Sequence, residues 1–177
     1  LREVTINTPV TYIGDFAFQS TDIETFDFQD VTYIGDAAFF ESGIKEVYLS
    51  NPKLTKIQSN TFQNCTLLET VTLNNLITEI EESAFEGCIS LKEINLPKGL
   101  KKLGKKSFKE CTNLSGIVIP GSLSEIPTEA FAYCDGLETI IVSNGVEKIM
   151  SKAFYRTDNV KHVEIPDSVV VMESNIL

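Results

Sequence analysis

Four cysteines, Cys65, Cys88, Cys111 and Cys134, recur at intervals of 23 residues in a chain of 177. Thiols in such a series could cross-link as disulfides or hold a structural zinc. If each interval is one turn of a stack, equivalent side chains point the same way and sit about 4.8 Å or more apart. A disulfide needs Cβ atoms about 3.8 Å apart, with the side chains turned toward each other. A straight row also cannot supply the tetrahedral cage of a structural zinc. The cysteines therefore read as small buried hydrophobes, one per unit, that return four free thiols in denaturant.

The single histidine, His162, falls at an outward strand position beside Glu164. A catalytic base needs a positioned nucleophile and an orienting partner, and the neighbouring unit offers Thr139 and Ile141 instead. Carboxylates are abundant, as at Glu79, Glu81 and Glu82, but they recur on solvated turns where nothing separates their acidities. There is no glycine-rich phosphate loop and no Cys/His metal spacing. The sequence argues against an enzyme and implies no cofactor.

The elements that position these residues are repeats. Units start at Leu1, Ile23, Ile44, Leu68, Leu91, Leu114, Leu137 and Val160, and apolar residues fall at fixed offsets within each. In the fifth unit the apolar series includes Leu91, Ile94, Leu96, Leu100, Leu103 and Phe108, closed by Cys111. Pairs such as Ile94 and Leu96, or Ile117 and Ile119, alternate inward and outward as a short strand must. Pro97, Pro120 and Pro166 stop these strands, because proline has no N–H for the ladder. Successive strands should stack in parallel, each unit burying its neighbour's apolar face. Gly14, Gly35 and Gly104 share an offset with Pro127, so that turn position cannot require a positive φ. Glycine is permissive there.

Phe18, Phe39, Phe62, Phe85, Phe108, Phe131 and Phe154 occupy one equivalent position, each preceded by a small residue such as Ala84 or Ser107. They read as an aromatic spine beneath the side opposite the strands, packed closely because the preceding residue is small.

The pattern L-x-x-I-x-L-P, then L-x-x-I/L, then A-F-x-x-C-x-x-L is similar to the BspA-like class of leucine-rich repeats over essentially the whole chain. The position where common leucine-rich repeats carry an Asn or Cys holds Leu76, Gly99, Ser122 or Gly145 here, which favours the BspA-like class. The resemblance implies a curved, right-handed solenoid with a parallel β-sheet on one face. It also implies cell-surface or secreted proteins acting in adhesion or host-protein binding. The expected fold class is thus an α/β repeat of about seven full repeats plus one partial. Residues 1–177 would form a single domain within a longer chain.

Lys plus Arg number 15 against 25 Asp plus Glu, a net of −10. Such a balance disfavours general attraction to nucleic acid or anionic membrane. No run of about 18 apolar residues exists, so this segment inserts in no membrane. The first residues carry no basic stretch followed by an apolar one, hence no signal peptide. The chain starts at Leu1 already in phase with its repeat, as a fragment or processed form would.

Binding is expected on the outward residues of the strands, where solenoids usually bind. The outward central row reads Thr5, Asp27, Tyr48, Thr72, Asn95, Val118, Ile141 and Glu164; the flanking row runs from Glu3 and Thr25 to Thr139 and His162. Val118 and Ile141 are adjacent and apolar, which is either strand propensity on an open sheet or the centre of a contact, with Tyr48 a separate aromatic anchor. The fifth unit carries seven lysines, among them Lys98, Lys101, Lys102, Lys105 and Lys106, against two glutamates, a net of +5 in an acidic chain. This belt either pairs with the acidic units beside it or meets an anionic glycan or acidic protein. Val170 and Val171 replace polar pairs at the last turn and predict a capping segment or a self-contact at that end. The sequence thus points to a non-enzymatic module that binds a host or extracellular protein, or a glycan, through its strand face. The alternative is a structural spacer with no ligand of its own.

Overall fold

The structure is a computed structural model that describes Val4 and residues 8–177. The outward positions expected at Glu3 and Thr5, and the first unit's start at Leu1, lie outside the described residues.

Among the described residues thirteen short strands follow one another: β1 (Tyr12–Ile13), β2 (Tyr33–Ile34), β3 (Glu46–Leu49), β4 (Lys56–Ile57), β5 (Thr70–Leu73), β6 (Glu79–Ile80), β7 (Lys102–Leu103), β8 (Gly116–Ile119), β9 (Glu125–Ile126), β10 (Thr139–Val142), β11 (Lys148–Ile149), β12 (His162–Glu164) and β13 (Val171–Met172). All pairings are parallel and join equivalent residues of successive units, as in Val47 with Val71 and Ile140 with Ile117. The chain is a parallel solenoid of about seven turns. The longer strands β3, β5, β8, β10 and β12 make one face, and the two-residue strands make a flank.

The α/β expectation is corrected: among the described residues there is no helix. The reason lies in the turn side of each unit, where two residues four apart take positive φ: Phe16 and Ser20, Ala37 and Glu41, Asn60 and Asn64, Ser83 and Gly87, Lys106 and Glu110, Glu129 and Tyr133, Lys152 and Arg156. A right-handed helix cannot pass through a left-handed residue. Instead the amides alternate. Phe85 donates forward to Ser107 of the next unit at 2.8 Å, while its neighbour Glu86 closes a turn onto Ser83 at 3.2 Å.

The core is continuous from Ile13 to Phe154. Within it the seven ladder phenylalanines stack in sequence with centroids 5.0–5.5 Å apart. Gly35 and Gly104 take no positive φ, in keeping with the permissive reading. Proximity is what restricts them: a Cβ on Gly104 would strike the backbone of Glu81 and Glu82 in the unit below.

The strand face is interrupted. The expected strand at Ile94 and Leu96 does not form; the fifth unit keeps only a bridge from Glu93 to Thr70. The cause is the absent N–H at both ends of its ladder. Asn74 donates to Leu49 O and Ser143 to Ile119 O, each at 3.0 Å, closing the ladders of their units. Pro97 and Pro120 occupy the corresponding places on either side of the fifth strand, so Leu73 and Leu96 lack that rung. Pro166 does the same to β12, which is one residue shorter than its neighbour β10.

Candidate functional site

Where the face is interrupted, a groove of about 1120 Å³ opens across the fourth to seventh units. Leu73, Ile94, Leu96 and Ile117 contribute to its walls, with Asn95, Lys98, Val118 and Pro120 around them. Leu73 and Leu96 are only partly buried, whereas their equivalents Leu49 and Ile119, which keep the terminal rung, are fully buried, and Val142, which faces Pro166 and lacks it, is 4% exposed. The two leucines beside the interrupted fifth strand are thus the ones that reach solvent in the groove.

Of the sequence-derived positions, Val118 and Lys98 line the groove. Val118 is 54% exposed and lies directly opposite the half-buried Ile141 in the register of β8 and β10. Ile141 stands outside the lining, as do Tyr48 and His162. Tyr48 projects from β3 and its hydroxyl donates to Glu46 at 3.1 Å, a bond that holds the phenol above its usual pKa range. His162 lies 2.8 Å from Glu164 on the exposed end of the face. No group of three His, Cys, Asp or Glu side chains among the described residues could hold a metal ion.

The lysine belt divides. Lys92 pairs with Glu69 at 2.6 Å, Lys102 with Glu81 at 2.8 Å and Lys109 with Glu129 at 3.2 Å. Glu81 also meets Lys56 at 2.6 Å. Burial pushes the Glu81 carboxyl up, but its hydrogen bonds to Lys102 and Lys56 outweigh this and hold it below the usual range. Lys98, Lys101, Lys105 and Lys106 make no ion pair among the described residues; the first three are exposed and Lys106 is half-buried. Pairing with neighbouring acids thus accounts for three of the seven charges, and Lys98 carries one of the other four to the rim of the groove.

The four thiols are free and buried. Each donates to the carbonyl of the ladder phenylalanine one unit earlier, from Cys65 to Phe39 at 3.0 Å through Cys134 to Phe108 at 3.0 Å. Burial raises their pKa, to about 11 for Cys65 and about 12 for Cys134. Protonated, buried and hydrogen-bonded, they are structural rather than nucleophilic.

Sequence reasoning missed Leu73 and Leu96 as groove residues, although the signal was present in the two prolines. It also missed the turn-side cluster in which Lys109 lies 5.6 Å from the ring centre of Tyr133, and Lys152 and Arg156 lie over Tyr155. At the last unit Val170, Val171 and Met172 are exposed. No helix among the described residues is long and apolar enough to cross a membrane.

Comparison with known proteins adds the lineage. The chain resembles the Leucine Rich Repeat protein (TpLRR) of T. pallidum with a TM-score of 0.72 and 24% identity, over 94% of this chain and 68% of that one. A leucine-rich repeat protein of Eubacterium ventriosum aligns with a TM-score of 0.68 and 16% identity, over 92% and 66%. A leucine rich cell surface protein of Faecalibacterium prausnitzii aligns with a TM-score of 0.55 and 20% identity, over 96% and 68%. The chain spans about two thirds of the length of these proteins, and the likeness establishes a shared fold. No curated protein matches the sequence. The model of the BspA type Leucine rich repeat region matches in six copies, over residues 1–96 and 55–177. With a solenoid built from the same unit that the family model describes, the chain belongs to the BspA-type leucine-rich repeat family.

Proposed function

We propose that this chain is a non-catalytic protein-interaction module of a cell-surface or secreted protein, and that its groove on the strand face takes an extended segment of an extracellular or host protein. The observation that carries this reading is the groove itself, where uncovered Leu73 and Leu96 lie beside exposed Val118 with the unpaired Lys98 at the rim. Apolar walls with a few convergent polar groups are what a ligand groove requires. The chemistry favours a partner that offers apolar side chains and carboxylates. The surface setting draws support from the family and from the neighbour of F. prausnitzii described as a cell surface protein.

The test is binding of this chain to a panel of extracellular-matrix proteins, serum proteins and glycans. It is run beside two folded variants, Val118→Asp with Ile141→Asp and Lys98→Glu with Lys101→Glu. Protein binding lost in the first variant and weakened by salt or the second supports the groove. Binding equal in parent and both variants places the contact elsewhere and overturns it. Binding of anionic glycans alone, abolished only in the lysine variant, replaces the protein partner with a polysaccharide. No binding by the parent leaves a spacer.

A further inference from the structure

The geometry points to a hinge between the fifth and sixth units, so that the groove has two walls that move relative to each other. Every other junction from the fourth unit onward keeps a hydrogen-bonded ladder on the flank: β6 with β7, β9 with β11, β11 with β13. Between β7 and β9 there is none. Gly104 donates to Ile80 O at 2.7 Å and Met150 to Ile126 O at 2.9 Å, and the residue in that place in the sixth unit is Pro127, which has no N–H to give Leu103. On the strand face Pro120 removes the rung to Leu96 in the same way. One junction therefore lacks both ladders and carries, in a single unit, two prolines seven residues apart at the rungs concerned.

The turn side stays fastened. Lys106 donates to Thr128 at 3.2 Å, Phe108 to Ala130 at 2.8 Å and Glu110 to Ala132 at 2.9 Å, while Phe108 and Phe131 stack at 5.3 Å. Hydrogen bonds are directional and fix spacing, whereas apolar contact is not and tolerates sliding. Away from that edge the amide of Ser115 donates to Lys92 O at 3.1 Å and the hydroxyl of Ser122 to Leu100 O at 2.6 Å, and the remaining contact is apolar, so this junction turns about its bonded edge more easily than one that keeps both ladders. Slight exposure of the inward residues on either side agrees: Ile94 is 6% exposed and Ile117 3%, against 0% for Val47 and Ile140. The junction between the second and third units also lacks ladders, but there the units differ in length and the rings of Phe26 and Phe28 fill the space between Phe18, Phe39 and Phe62.

Leu73, Leu96 and Lys98 lie on one side of the hinge, and Val118, Pro120 and Thr139 on the other. Rotation changes the width of the groove, and an occupant that touches both walls holds it at one width. The hinge itself rests on the hydrogen bonds alone; only this last consequence rests on the binding reading above.

The test uses spin labels on Tyr48→Cys and Glu164→Cys, exposed positions five units apart and hence roughly 24 Å across the hinge at about 4.8 Å per unit. The native thiols are buried and do not compete for the label. The expected distance distribution in the parent is broad, and it narrows by about half when Pro120→Asn and Pro127→Glu restore the two N–H groups. Equal widths in parent and restored chain, both folded by circular dichroism, overturn the hinge. If the restored chain does not fold, Ser143→Pro with Met150→Pro decides, since it removes the same rungs from the intact junction between the sixth and seventh units. There a widened distribution supports the mechanism and an unchanged one overturns it. Failure to bind any partner removes the groove reading and leaves these widths as they are.

Discussion

The thiol of Cys111 donates to the carbonyl of Phe85, one unit earlier, at 3.2 Å. That carbonyl also accepts the amide of Cys88 at 3.3 Å, so both of its lone pairs are used. Ser42 and Thr157 hold the same place in other units, and Thr157 bonds the carbonyl of Phe154 at 2.9 Å. The position calls for a small buried donor. Sulfur is one way of supplying it.

The thiols predict a weakening of the fold in alkali. Burial raises each folded pKa above the unfolded value near 9, so the contribution is complete below pH 9. Above it the unfolded chain releases protons that the folded chain retains, and stability falls by about 1.4 kcal/mol per pH unit for each thiol. The loss continues until pH passes the folded values, about 11 for Cys65 and about 12 for Cys134. Urea unfolding at pH 8, 9 and 10 should show this decline, and a chain with serine at all four positions should decline less. Identical slopes would remove the thiols as the cause.

Phe108 lies between Phe85 at 5.2 Å and Phe131 at 5.3 Å and is fully buried. Phe108→Ala should cost about 3–5 kcal/mol in denaturant unfolding, through lost transfer energy and the cavity left behind. A cost under about 1 kcal/mol would mean that the spine does not bear on stability.

Ser107, one residue earlier, has a buried hydroxyl without a hydrogen-bond partner. Alanine stands at this position in five other units. Ser107→Ala should therefore raise stability by about 1 kcal/mol, because a buried polar group with no partner costs roughly that much or more. Calorimetry that finds a lower melting temperature would contradict it.

Two glycines should respond oppositely to alanine. Gly104→Ala drives a methyl into the backbone of Glu81 and Glu82 and should cost about 1–3 kcal/mol. A methyl at Gly99 would meet nothing within 4 Å, so Gly99→Ala should be neutral within about 0.5 kcal/mol. Equal costs in thermal unfolding would show that close approach is not what selects glycine at 104.

Glu81 gives an acid-side test. Its folded pKa is lowered, so its contribution is present above the unfolded value near 4.5 and is lost as pH falls through the folded one. Glu81→Gln should cost about 1 kcal/mol at pH 7 and nothing at pH 2. A cost that persists at pH 2 would assign the effect to packing rather than charge.

Most of the solenoid was legible because its signals are periodic. Ile94, Ile117 and Ile140 are buried in step, and so are the phenylalanines, since an equivalent offset means an equivalent place in the stack. The helix implied by the α/β class was not met. Stretches such as Ser-Ala-Phe-Glu-Gly-Cys contain ordinary helix formers, and the left-handed places are held by Lys106, Glu110 or Tyr133 as readily as by Gly87. No residue type marks that turn in one dimension. The groove was half legible. Val118 and Lys98 stood out by exposure and charge, whereas Leu73 and Leu96 looked like core, and only the places of Pro97 and Pro120 in the ladder deprive them of a bond.

The left-handed residues also bear on how the chain reaches this state. An L-residue in that conformation costs roughly 1–2 kcal/mol, and each of the seven complete units has two such positions. Nothing inside a single unit offsets this, because alternate turn-side amides, such as those of Phe85 and Phe108, find their acceptors only in the next unit. A synthetic peptide of one unit is therefore without stable structure, whatever its composition. A unit in the middle of the stack needs a neighbour on each side to complete its hydrogen bonds, as Phe85 does with Ser107 ahead and Gly104 with Ile80 behind, so the smallest piece with a finished surface is larger than the repeat that the sequence displays.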